Sequence, residues 1–167
     1  MSKFSVIEIV LMREALKQAK IASEKDEVPI GAVVTFDNKV IARAHNQVEM
    51  LKDPTAHAEM IAITQATNYL GSKWLEKCSL YVTIEPCSMC IGALVLSRIK
   101  KVYFGSRDPK AGACGSLYDL SQDKRLNHRI EVVSGVLEKD CAAILTEFFK
   151  ILRRKCRRRN WWKERRR

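Results

Sequence analysis

Apolar residues recur three and four positions apart from Val6 to Ala19, with Val6, Ile9, Val10, Leu16 and Ala19 near one face, a spacing that predicts an amphipathic helix. Ser5 and Glu8 stand at capping-box spacing at its start, and the helix should fade by Asp26. Beyond Pro29 the pattern turns β-branched, and residues 31–36 read as a strand. Asp37-Asn38 is a turn signal, so a second strand over 39–45 completes a hairpin. Residues 46–54 read as a loop. Asp53-Pro54-Thr55 supplies helix-start chemistry for a helix from Ala56 to about Tyr69, closed by Gly71, which puts His57 and Glu59 in its first turn.

A short strand follows over 79–84, Glu85-Pro86 breaks it, and residues 87–97 begin a second core helix. Another strand spans 101–105. Residues 107–129 are rich in Gly, Asp, Lys and Asn with little periodicity, and so long an irregular stretch in a chain this small points to function. Residues 130–134 make a last strand, and a helix runs from Lys139 with Ile144, Leu145, Phe148, Phe149 and Leu152 as its apolar positions. The order α-β-β-α-β-α-β-β-α, without repeat or linker, implies one mixed sheet with helices on its faces.

Composition bounds this picture without changing it. The chain has 167 residues, 47% hydrophobic and 29% charged, which suits one globular domain. Its apolar runs are far shorter than the roughly 20 residues that span a bilayer, and the N-terminus lacks the apolar core of a signal peptide. A cytoplasmic location without membrane attachment is expected. The six cysteines then suggest metal ligation or reduced thiols rather than disulfides, with Cys78 and Cys141 as small buried hydrophobes.

Charge does change the picture. The net charge is +11, and residues 153–167 carry ten Lys/Arg against Glu164, so +9 belongs to the terminus and +2 to the rest. The chain therefore divides into a near-neutral domain, 1–152, and a basic extension, 153–167, containing Trp161-Trp162. Such a run is suited to the phosphates of a nucleic acid, and interleaved aromatics add stacking.

The chemistry sits at two expected helix starts. His57, Cys87 and Cys90 are soft metal ligands, and Glu59 stands two residues past the histidine. Three protein ligands leave one tetrahedral position of Zn²⁺ for water, the arrangement of a catalytic zinc. Helix N-termini favour negative charge and lower thiol pKa values, and residues three apart share a face, so both sulfurs can reach one ion. Glu59 projects elsewhere, placed to handle a proton. A four-ligand structural zinc is the competing reading; it would need His45, His128, Cys78 or Cys114 as fourth ligand, none at motif spacing. A redox Cys-x-x-Cys pair fits poorly with Pro86 and the upstream His-x-Glu.

His-x-Glu with a later Pro-Cys-x-x-Cys is the signature of zinc nucleobase deaminases. The chain resembles the bacterial tRNA-specific adenosine deaminases almost end to end: Val28-Pro-Ile-Gly-Ala-Val33, Asp53-Pro-Thr-Ala-His-Ala-Glu59 and Leu80-Tyr-Val-Thr-Ile-Glu-Pro-Cys-Ser-Met-Cys90. The similarity continues through Phe104-Gly-Ser-Arg-Asp-Pro-Lys-Ala-Gly112, Gly115-Ser-Leu117 and Asn127-His-Arg129. The zinc motif is shared with cytidine, cytosine, deoxycytidylate and guanine deaminases; the segments at 104–117 and 127–129 resemble the tRNA-acting branch more narrowly.

The resemblance implies a cytidine deaminase-like fold, a three-layer α-β-α arrangement around a central mixed five-stranded sheet. It implies hydrolysis of adenosine to inosine at the wobble position of a tRNA anticodon loop, with an arginine tRNA as the expected substrate and ammonia released. It further implies a homodimer with one zinc per subunit, His57, Cys87 and Cys90 as ligands, and Glu59 as the proton shuttle. Asn46 matches the residue that hydrogen-bonds the base, and Asp108 the one near ribose and backbone; Lys110 would neutralise phosphate. From composition alone, Asn46 is a turn asparagine and Arg107-Asp-Pro-Lys a charged turn. The competing functions are a deaminase of a free base, such as guanine, and a noncatalytic RNA-binding module with structural zinc.

Overall fold

Alternation along each strand dictates the layers. In the computed structural model, which describes residues 3–158, Ala32 and Val34, Leu80 and Val82, and Val102 and Phe104 face one side of a sheet, while Val33, Tyr81 and Tyr103 face the other. A period of two sends alternate residues to opposite faces, so a sheet whose strands are apolar throughout must be covered on both.

The elements run α1 (Val6–Glu24), β1 (Gly31–Phe36), β2 (Lys39–His45), α2 (Val48–Leu51), α3 (Ala58–Leu70), β3 (Cys78–Ile84), α4 (Ser88–Leu96), β4 (Lys101–Ser106), β5 (Glu131–Ser134) and α5 (Glu138–Arg158). The sheet order is β2-β1-β3-β4-β5. β1 is antiparallel to β2 and β3, whereas β3, β4 and β5 are parallel. Helices α3 and α4 cover one face through Ala58, Ala62, Ala66, Ile91 and Leu94. Helix α1 covers the other through Leu11, Met12 and Ala15, and α5 joins it there through Cys141. The expected three-layer α-β-α fold with a mixed five-stranded sheet is the observed one.

Local signals act as expected in several places. Ser5 and Glu8 form the capping box of α1. Asp37 and Asn38 both adopt positive φ, 48° and 60°, the conformation of a tight hairpin turn. Gly31 has a different reason to be glycine: a Cβ there would collide with Ala15 O and Ala19 N, so α1 lies directly on the start of β1.

Register gathers the site at one end of the sheet. Gly31 pairs with His45, Ala32 with Val82, and Ile84 with Ser106. The segments entering β1 and leaving β2, β3 and β4 therefore meet there. That end lies beyond the carboxyl ends of the parallel strands, where ligands of open α/β sheets bind.

Three local expectations are revised. The loop at 46–54 contains a one-turn helix, α2. Asp53 does not cap α3; its Oδ1 accepts from the Thr55 N–H at 2.8 Å and the Thr55 hydroxyl at 2.7 Å, forming a local turn. His57 precedes the helix as N-cap rather than lying in its first turn. Helix α5 runs unbroken across residues 152 and 153. Residues 159–167, with Trp161-Trp162, lie outside the described residues.

Candidate active site

Both helix starts that carry the ligands are capped in the same unusual way. His57 is the N-cap of α3 (φ −71°, ψ 151°) and Cys87 that of α4 (φ −75°, ψ 174°), and neither side chain makes a capping hydrogen bond. Their carbonyls do begin the helices, accepting from Ile61 at 3.1 Å and Ile91 at 2.9 Å. The extended N-cap conformation frees each side chain to point across the gap between the helices. There the His57 Nδ1 lies 3.5 Å from the Cys90 Sγ and 3.7 Å from the Cys87 Sγ.

One atom from each of these residues falls within 4.8 Å of the others, and among the described residues this is the one His/Cys/acid cluster of three or more that could hold a metal ion. None of the suggested fourth ligands, His45, His128, Cys78 or Cys114, belongs to this cluster; His45 meets the Lys25 ammonium at 3.3 Å, and His128 Nε2 meets the Ile99 carbonyl at 2.7 Å. Cys78 and Cys141 are buried, as expected of small hydrophobes. Two sulfurs and an imidazole nitrogen in a partly buried pocket fit zinc.

Proton sharing within the cluster supports that fit. The Cys90 thiol donates to Cys87, which together with the His57 ring holds the Cys87 thiol down to about 4 against its burial. Cys90, as the donor and deeply buried, is pushed up. His57 is raised by its hydrogen bond with Cys87, in opposition to burial. A metal held by these residues would take both sulfurs as thiolates, so its binding would release protons.

Glu59 follows on the first turn of α3, 2% exposed. Its Oε2 is the one buried side-chain polar atom without a hydrogen-bond partner among the described residues, and burial raises its pKa. An unpartnered buried carboxylate oxygen costs free energy unless something polar meets it. A ligand site beside it supplies that reason, and a carboxyl moved towards neutrality suits proton transfer.

Asn46, leaving β2, is 3% exposed and held on the main chain by a bond from its N–H to the Ile30 carbonyl at 3.0 Å. It lines a cavity of about 210 Å³ together with Glu27, Val28, Ile30, Val48, Glu49 and His57. The sheet end thus puts Asn46 and His57 on the lining of one cavity.

Asp108 and Lys110 sit in the loop after β4. Asp108 Oδ1 accepts from the Lys110 N–H at 2.9 Å and the Ala111 N–H at 3.3 Å, so the carboxylate shapes a turn; Lys110 is exposed. This is the charged turn that composition alone predicts. The loop itself is fastened to the metal cluster: Ala113 N–H donates to the Pro86 carbonyl at 2.9 Å, and Gly112 bridges to Cys87.

Two buried carboxylates escaped the reading of the sequence. Glu85, 2% exposed, accepts from the N–H groups of Asp108, Cys114 and Ser116 at 3.1, 2.9 and 3.0 Å and from the Ser116 hydroxyl. Burial alone would raise its pKa, but the bonds from Ser116, Asp108 and Cys114 outweigh it and lower the value. Glu27, 1% exposed, accepts from Asn46 Nδ2 and from the N–H groups of Glu49 and Met50. Each is a lone carboxylate bordering an apolar strand at the ligand-bearing end, and that placement was the available signal.

The family model for MafB19-like deaminases matches residues 8–153. The chain is 55% identical over 144 residues to a tRNA-specific adenosine deaminase of Bacillus subtilis, covering 86% of this chain and 89% of that protein. A solved structure from work on A-to-I editing by tRNA:A34 deaminases at the wobble position of transfer RNA is 45% identical. It superposes with a TM-score of 0.78 and covers 81% of this chain and 99% of the other. A guanine deaminase structure from Bacillus subtilis is 37% identical with a TM-score of 0.56, over 59% of this chain and 63% of that one.

Proposed function

The chain belongs to the tRNA-specific adenosine deaminase family, and we propose from that premise how its residues hydrolyse adenosine to inosine at the wobble position of a tRNA anticodon. His57, Cys87 and Cys90 hold one zinc ion per subunit; Glu59 is the proton shuttle; Asn46, Asp108 and Lys110 contact the substrate. The observation that carries this reading is the orphaned Glu59 Oε2, buried beside the His57/Cys87/Cys90 cluster.

When bound to these ligands, zinc polarises water and makes it nucleophilic near neutral pH. Everything else falls to the chain. A wobble base flipped out of its stack enters the cavity edged by Asn46 and His57. Glu59 takes a proton from the attacking water and delivers it to N1 of adenine as the new C–O bond forms at C6. It then carries the remaining hydroxyl proton to the exocyclic nitrogen, the C6–N bond breaks, and ammonia leaves. Inosine keeps the proton on N1 and the water oxygen on C6, so water and adenosine balance inosine and ammonia. Burial raises the Glu59 pKa above the ordinary carboxylate value, which makes the carboxylate a better acceptor of the water proton.

Homodimerisation, an arginine tRNA as substrate and a cytoplasmic site of action rest on the family likeness. No described helix is long and apolar enough to cross a membrane. The test incubates the purified protein with a wobble-adenosine tRNA and, separately, with free purines, and sequences the RNA for inosine. Inosine in the tRNA with free guanine untouched is the expected result; guanine deamination with no inosine overturns it. A Glu59→Ala variant should retain zinc while losing on the order of 10²–10⁴-fold in rate, and full activity in that variant would refute the shuttle.

A further inference from the structure

Asn46 is oriented by something the reaction itself does not use. Glu27 lies in the segment between α1 and β1, buried at 1% exposure, and three N–H donors converge on it. Its Oε2 accepts from Asn46 Nδ2 at 3.3 Å and the Glu49 N–H at 3.1 Å; its Oε1 accepts from the Met50 N–H at 2.7 Å.

Two of these donors belong to the first turn of α2, whose N-cap, Gln47, makes no side-chain capping bond. Glu27 therefore caps from a distance a one-turn helix too short to hold itself. The third donor is the Asn46 amide. A carboxylate only accepts, so the amide must turn its nitrogen towards Glu27. With the Asn46 main chain held by Ile30, this bond sets which end of the amide faces the cavity.

We infer that Glu27 is a positioning residue for substrate recognition: it fixes the Asn46 amide so that its oxygen and second N–H read the Hoogsteen edge of the incoming adenine. One N–H is spent on Glu27, leaving Oδ1 and the N–H on its own side to face the cavity that both residues line. Adenine presents N6–H₂ as donor and N7 as acceptor along that edge, a pattern an asparagine amide matches with two bonds. Guanine presents acceptors at both O6 and N7, and its O6 would oppose Oδ1. A flipped amide would set its oxygen against N7 and lose both bonds to adenine; one held by a carboxylate keeps the matching orientation. The pairing thus supplies discrimination at the base, before chemistry begins.

The inference rests on the adenosine reading above, and the experiment separates the two. An anticodon stem-loop RNA is prepared with adenosine, or with 7-deazaadenosine, at the wobble position. The wild-type zinc enzyme should form inosine from the first and lose on the order of tenfold in kcat/KM on the second. Glu27→Gln should lose a similar factor on adenosine, with zinc content unchanged, and its penalty for 7-deazaadenosine should shrink towards one. In an Asn46→Ala background, Glu27→Gln should add almost nothing. If Glu27→Gln does not fold, Glu27→Asp, which retains the acceptors but withdraws them by one methylene, is read in the same cycle.

A folded Glu27 variant that keeps the full 7-deaza penalty reduces Glu27 to a structural cap and overturns the inference. A wild-type enzyme indifferent to N7 overturns it as well. Absence of inosine from the unmodified stem-loop would instead sink the substrate reading, which is a different outcome.

Discussion

Glu85 and Ser116 are 31 positions apart and form a two-pronged contact: the Ser116 N–H donates to Glu85 Oε1 at 3.0 Å and its hydroxyl donates to Oε2. Cys114 N–H joins at Oε1 and Asp108 N–H at Oε2. One carboxylate, two residues before Cys87, thereby secures the loop that the resemblance assigns to RNA. Gly112 belongs to the same arrangement, since a Cβ there would stand 2.6 Å from Glu85 Oε2 and from Asp108 O.

Glu85→Gln should loosen this loop without dissolving the fold. A glutamine offers one acceptor oxygen, and its NH₂ would face donors, leaving N–H groups unsatisfied at about 1–3 kcal/mol each. Amide exchange at Cys114 and Ser116 should quicken by on the order of tenfold or more, and KM for the stem-loop should rise more than kcat falls. Unchanged exchange at those two amides would show that the loop does not depend on Glu85.

Gly31→Ala should be far more costly than an ordinary glycine-to-alanine change in a strand. The added methyl meets main-chain atoms of Ala15 and Ala19, with Gln18 Cβ at 2.8 Å, and backbone cannot step aside as a side chain can. A loss of about 3 kcal/mol is expected from such overpacking, or roughly 6–12 °C in Tm. Calorimetry checks it, and a variant as stable as the parent would mean that α1 does not rest on β1 as described.

His45 should make the protein sensitive to mild acid. Burial lowers its pKa, the Lys25 ammonium 3.3 Å away adds to the effect, and Glu27 opposes it. A depressed folded-state pKa contributes stability that is present above the unfolded value near 6.5 and is lost as pH falls through the folded value. Urea midpoints of the zinc-loaded protein should therefore fall between pH 7 and pH 5, and His45→Gln should flatten that slope. An equally steep slope in the variant would remove His45 as the cause.

Truncation after Leu152 removes the segment that carries +9 of the net charge. Its contribution to tRNA affinity should be ionic, so the apparent Kd should rise and its dependence on salt should weaken. Each phosphate that the shortened chain no longer neutralises lowers the logarithmic slope by about 0.7–0.9. Filter binding across a salt series reads both quantities, and identical curves with and without the segment would exclude a role in RNA binding.

That His57, Cys87 and Cys90 sit at the starts of two helices was legible in the chain, because helix-start chemistry acts within a few residues, although His57 proved to be the N-cap and not part of the first turn. The order of helices and strands already implied a mixed sheet covered by helices, and the family resemblance implied three layers; which of Val33, Ala32 and Val34 faces which layer was decided by the fold, because all three are apolar. Helix α2 was not legible. Four residues have no periodicity, and this turn is held by Glu27, more than twenty positions away, rather than by its own sequence. Asp53 likewise looked like a cap and became a turn, since Thr55 satisfies it locally before α3 begins.

The meeting of His57, Cys87 and Cys90, the mixed sheet with helices on its faces and the family were thus written in the order of residues. The roles of Glu27 and Glu85 were settled by the folded arrangement, because a carboxylate's role depends on which N–H groups surround it. Those donors come from segments that register and chain reversal bring to one end of the sheet, and no local pattern announces them.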